Sequence, residues 1–71
     1  MVNKQRLVDA IKARGLRLDF IAEKLGISRQ TLSDKINNKK QFKLGEIQTL
    51  VKVLYLTPEE VDDIFFIYNV H

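Results

Sequence analysis

LDFIAEKLGISRQTLSDKIN, residues 18–37, reads as two short helices joined by a tight turn. Leu18, Ile21, Ala22 and Leu25 recur at helical spacing and give the first of the pair one apolar face. Gly26 ends it, because glycine enters the left-handed region without steric cost. Ser28 follows as the N-cap of the second, its hydroxyl placed to accept from a free backbone N–H. Ile27 and Leu32 flank that cap with the spacing of a hydrophobic staple, which sets the angle at which the chain enters the helix. Beyond the cap, Leu32 and Ile36 point inward. Arg29, Gln30, Ser33, Asp34 and Asn37 spread over the side away from them, and all five form hydrogen bonds readily. A helix with that inventory has the chemistry to lie in a major groove and read base edges.

Three further helices surround this pair. Residues 4–14 carry Leu7, Val8 and Ile11 as a buried stripe, with Asn3 as N-cap and Gly15 as the residue that ends the helix. Phe20 falls off the main apolar face of the 18–25 helix and is expected to pack against the first helix or the C-terminal region. The third helix, 29–37, is followed by the loop Asn37-Asn38-Lys39-Lys40. Phe42 is expected as a plug over the core. Residues 44–55 repeat apolar side chains at Ile47, Leu50, Val51 and Leu54, a core face. Helix five, 58–67, has nearly every start signal: Thr57 as N-cap, Pro58 at the first position, Glu60 completing a capping box, and Leu56 with Val61 as a second staple. Its stripe is Val61, Ile64, Phe65 and Tyr68. The expected fold is therefore all-α, five helices in one domain spanning 1–71.

Composition narrows the function classes. Seventy-one residues, 45% hydrophobic and 30% charged, describe a folded domain with a small core. With no cysteine there is neither a disulfide framework nor a thiolate metal site. The longest apolar run, Ile64–Tyr68, is too short to span a bilayer, and the N-terminus lacks the apolar core of a signal peptide. No membrane partner is expected, and the cytoplasm is the expected location. Charge is unevenly distributed: residues 1–43 hold 11 Lys/Arg against 4 Asp/Glu, and residues 44–71 hold 1 against 5. The cationic part coincides with the two-helix segment, where a polyanion would dock. Arg17, Ser28, Lys35, Lys39, Lys40 and Lys43 are the candidate phosphate contacts, lysine being a mobile point charge suited to phosphate more than to a particular base.

These residues resemble the lambda-repressor-like helix-turn-helix family, which includes phage Cro and repressor domains. The resemblance rests on Ala22, Gly26, Ile27-Ser28 and Leu32, spaced Ala-x3-Gly-Ile-Ser-x3-Leu, with helices on either side. It implies a compact five-helix domain whose helix-turn-helix is formed by helices two and three. It also implies that Arg29, Gln30, Ser33 and Asp34 fall where that family places base-reading side chains. Two positions depart from the pattern: Leu18 replaces a glutamine that touches the DNA backbone in many members, and Asn38 replaces a glycine after the third helix. Asparagine tolerates the left-handed conformation that such a glycine adopts. Residues 43–66, KLGEIQTLVKVLYLTPEEVDDIFF, look like the tail of small regulators from phages and prophages of low-GC bacteria.

The expected function is that of a sequence-specific double-stranded DNA-binding transcriptional regulator. Arg29, Gln30, Ser33, Asp34 and Asn37 are its candidate base contacts. Asp34 is the odd member, because phosphates repel a carboxylate; it either accepts from a cytosine amino group or holds Arg29 or Lys35 in place. Phe66, Ile67, Tyr68 and Val70 leave the end of helix five apolar on more than one side. They either complete the core or face a second copy, and a homodimer on a pseudo-palindromic operator is the expected assembly. The alternative is a protein-interaction module on the same scaffold, antirepressor- or antitoxin-like, using that apolar end. No enzyme, cofactor, metal or small-molecule effector is expected. His71 is the only histidine, and the carboxylates at 59, 60, 62 and 63 suit a helix start without a metal.

Overall fold

The computed structural model describes residues 1–66. Five helices follow one another: α1 (Lys4–Arg14), α2 (Leu18–Leu25), α3 (Arg29–Ile36), α4 (Leu44–Leu54) and α5 (Pro58–Phe65), with no strand among the described residues. Their ends are set by local chemistry. Asn3 caps α1 by accepting from the Arg6 N–H at 3.2 Å, and Ser28 caps α3 by accepting from the Thr31 N–H at 3.0 Å. Gly15 and Gly26 close α1 and α2 at φ +66° and +71°, values that a side chain would strain. At α5 the capping box is reciprocal: the Glu60 N–H donates to Thr57 Oγ1 at 3.1 Å, and the Thr57 N–H donates to Glu60 Oε1 at 3.0 Å.

Packing sets α2 against both α3 and α4, while α1 touches α3, α4 and α5. Leu7, Ile21, Leu32, Leu50, Leu54 and Ile64 are fully buried, so every helix contributes to one core. Phe42 is packed on it, its ring edge-to-face with Phe65 at 6.0 Å between centroids. The bidentate pair of Arg14 with Glu60, at 3.0 and 2.8 Å, ties the end of α1 to the start of α5. No helix among the described residues is long and apolar enough to cross a membrane.

Several expectations are corrected. Three helices are shorter than their sequence patterns. Asn37, Tyr55 and Phe66 are terminal caps, and the last two have φ +52° and +56°. The left-handed turn at Phe66 ends α5 before Ile67, and its side chain is exposed. Phe20 is 43% exposed and stands outside the buried core. Lys24, one turn on, lays its ammonium 5.2 Å from the ring centroid, the side chains being neighbours at i and i+4. The candidate interface residues Ile67, Tyr68 and Val70 lie outside the described residues.

Candidate nucleic-acid interface

The outward side of α3 is built by the periodicity that buries the other side. Leu32, Lys35 and Ile36 are buried, while Arg29, Gln30 and Asn37 are exposed and Ser33 and Asp34 half-buried. The α2–α3 turn fixes where that side begins. Ser28 accepts from the Thr31 N–H and donates through Oγ to Thr31 Oγ1 at 2.9 Å, so its hydroxyl is engaged in the cap while remaining exposed. Arg29 Nε stands 3.4 Å from Asp19 Oδ1, both side chains about two-thirds exposed. An exposed pair of this kind contributes only about 0–1 kcal/mol, so Arg29 is readily released to another partner. Arg17, Leu18, Asp19 and Arg29 together line a cleft of about 300 Å³ at the starts of α2 and α3.

Asp34 has neighbours other than those expected of it. Its Oδ1 accepts from Gln30 Nε2 at 3.0 Å, and its Oδ2 lies 3.9 Å from Lys40 Nζ. Arg29 and Lys35 have other partners. At the far end of α3, Asn37 folds back and donates to the Ser33 carbonyl at 2.9 Å and to Ser33 Oγ at 3.3 Å. Ser33 and Asn37 border an apolar groove of about 330 Å³ whose other walls are Val8, Ile11, Leu18 and Ile36, with Lys4 and Lys12 at its rim. Neither Lys4 nor Lys12 is among the phosphate contacts expected from the sequence. Their place beside α3 follows from how α1 crosses it, which no local pattern encodes.

Lys35 is corrected. It was expected to meet phosphate, yet it is only 5% exposed. Its ammonium is paired with Glu46 and lies 6.0 Å from the Phe42 ring centroid. Glu46 Oε1 also accepts from the Lys43 N–H at 2.8 Å, so one carboxylate both caps α4 and neutralises the buried lysine. Burial pushes the Glu46 carboxyl up, but the Lys35 hydrogen bond, the Lys43 N–H and the two nearby cations outweigh it and hold the group below its ordinary value. A signal was available: Lys35 falls between Leu32 and Ile36 at i+3, on the apolar stripe itself. Lys39, Lys40 and Lys43 by contrast are exposed, on the segment that leaves α3.

Asn38 turns that segment. It adopts φ +63°, and its amide makes two hydrogen bonds with the backbone of Val2, accepting from the N–H at 2.7 Å and donating to the carbonyl at 3.0 Å. The N-terminal segment is thereby fastened beneath the basic loop, and Val2 is buried. Residues 6–68 match the model of a family described as Protein of unknown function (DUF739). No curated protein and no solved structure matches the chain.

Proposed function

This chain belongs to the DUF739 family, and we propose that it is a sequence-specific regulator that binds double-stranded DNA through α3, in the manner of the lambda-repressor-like helix-turn-helix proteins it resembles. The observation that carries the reading is the composition of the outward side of α3. Arg29, Gln30 and Asn37 are exposed there, and the exposed Lys39, Lys40 and Lys43 follow directly in the chain. Arg29 reads guanine or grips phosphate, and Gln30 pairs with adenine in the major groove. Arg17 and the lysines of residues 39–43 supply salt-sensitive affinity without sequence information. Two copies bound to a pseudo-palindrome would place their α3 helices about 34 Å apart, one turn of duplex.

Selection of duplexes from a random pool tests this directly. An enriched motif with two-fold symmetry is the expected result; recovery of no motif at low salt would sink the proposal. Chemical-shift mapping with a recovered duplex should perturb residues 28–40.

A second reading has its own observation. Leu44 is 68% and Tyr55 84% exposed, and Leu44, Ile47, Val51 and Val61 line an open apolar groove of about 480 Å³ between α4 and α5. Such a surface suits a protein partner, whether a second copy or another chain. Shift changes confined to α4 and α5 on adding a protein ligand, with none from any duplex, would favour an interaction module instead.

A further inference from the structure

We infer that Asp34 is a positioning residue that orients the Gln30 amide so that it selects adenine, an inference that rests on the DNA-binding reading above. Gln30 and Asp34 are four residues apart on α3 and therefore neighbours on its surface. Gln30 Nε2 donates to Asp34 Oδ1 at 3.0 Å. An ionised carboxylate only accepts hydrogen bonds, so it tolerates the amide NH2 group and repels the amide oxygen. The contact thus removes the two-fold ambiguity of the glutamine head group. One hydrogen of Nε2 is used on Asp34, and the other remains free beside the oxygen Oε1.

That residual pair, one donor and one acceptor, matches a particular base edge. Adenine presents an acceptor at N7 and a donor at N6 in the major groove, whereas guanine presents two acceptors, N7 and O6. With the amide held by Asp34, Oε1 faces the N6 amino group of adenine, and against guanine it would face O6, another acceptor. A glutamine free to rotate could instead turn its NH2 group to the guanine edge. Asp34 is suited to hold the amide while escaping direct contact with the polyanion. Its side chain is only 19% exposed, and Lys40 Nζ lies 3.9 Å from its second oxygen. Asp34 therefore acts through Gln30, and the cost of a carboxylate near phosphates is offset by the adjacent lysine.

The test uses the full chain and a duplex recovered by selection, together with its single-base variants. For the wild type, binding at one half-site position should favour adenine over guanine by about 5- to 150-fold, the range for one bidentate pair. Gln30→Ala should abolish that ratio and identify the position. Asp34→Asn, an isostere whose amide accepts and donates, should lose most of the ratio at that position alone. Its affinity for an unrelated duplex should equal or exceed that of the wild type. Asp34→Glu, which remains acceptor-only, should restore the preference. Unchanged adenine discrimination in Asp34→Asn overturns the inference, as does an equal loss at every position of the site. A wild-type motif in which no position responds to Gln30→Ala also overturns it, while leaving DNA binding intact. If the wild type enriches no motif at all, the DNA reading itself fails and this inference falls with it.

Discussion

Lys35 and Glu46 show how far a single charge can depart from its expected role. A lysine in a basic stretch ordinarily faces solvent, but this one sits on the stripe that buries Leu32 and Ile36. Removing one member of such a pair leaves an uncompensated buried charge, so Glu46→Ala should cost about 3–5 kcal/mol of stability in urea unfolding. Glu46 also makes stability depend on pH. Because its folded pKa is lowered, its contribution is complete above the unfolded carboxylate pKa and is lost as pH falls through the folded value. The acid side of a stability–pH curve should therefore flatten in Glu46→Gln. Glu60 contributes with the same sign, its carboxyl held down by Arg14 and by the Thr57 N–H. Asn38 offers a second test. Asn38→Gly keeps the left-handed turn but removes both hydrogen bonds to Val2. A loss of about 1–2 kcal/mol in thermal or urea unfolding is expected, with earlier amide exchange in the first residues.

The helices owe their limits to capping more than to the reach of their apolar repeats. The stripe of α5 continues in sequence past Phe65 to Tyr68, yet α5, like α4, stops in a left-handed residue that is not glycine. At α4 that residue is Tyr55, whose N–H returns to the Lys52 carbonyl at 3.4 Å and whose side chain is exposed. Its Cβ makes the left-handed conformation unfavourable by roughly 1–2 kcal/mol. Because the ring contributes little burial, Tyr55→Gly should raise stability by up to about 1 kcal/mol, after the greater freedom of glycine in the unfolded chain is offset. A lower unfolding midpoint would mean that the ring has a packing role. The start of α4 is instructive in the same way. Lys43 has no side-chain acceptor for a reciprocal box, so Glu46 alone supports the N-terminus by accepting from the Lys43 N–H.

Across the whole molecule, the cationic and acidic parts of the chain meet where Arg14 pairs with Glu60 and Lys35 with Glu46. The crossing of α1 over α3 also adds Lys4 and Lys12 to the border of the proposed DNA face. The salt dependence of binding can count which cations take part. Lys39→Ala should reduce the slope of log K against log salt by about one unit, the contribution of one phosphate contact. The double variant Lys35→Met with Glu46→Gln should leave that slope unchanged at temperatures well below unfolding, because a buried ammonium releases no counterion. An equal fall in both would contradict the burial of Lys35 as the reason for excluding it.

Much of this architecture was readable before any packing was known. Turn glycines, the Asn3, Ser28 and Thr57 caps and the two staples act within a few residues, so sequence alone determined five helices, their order and the inward stripes of Leu7, Ile21, Leu32, Leu50 and Ile64. The polar side of α3 was legible for the same reason, as the complement of a helical stripe. Tertiary structure alone decided that Lys35 meets Glu46, that Asn38 grips Val2, that Phe20 stays partly exposed, and that Lys4 and Lys12 flank Ser33 and Asn37. Each of these depends on how two helices cross or on where a loop returns. Such placements follow from the shape of the shared core, and helical periodicity carries no information about the neighbour a side chain will meet.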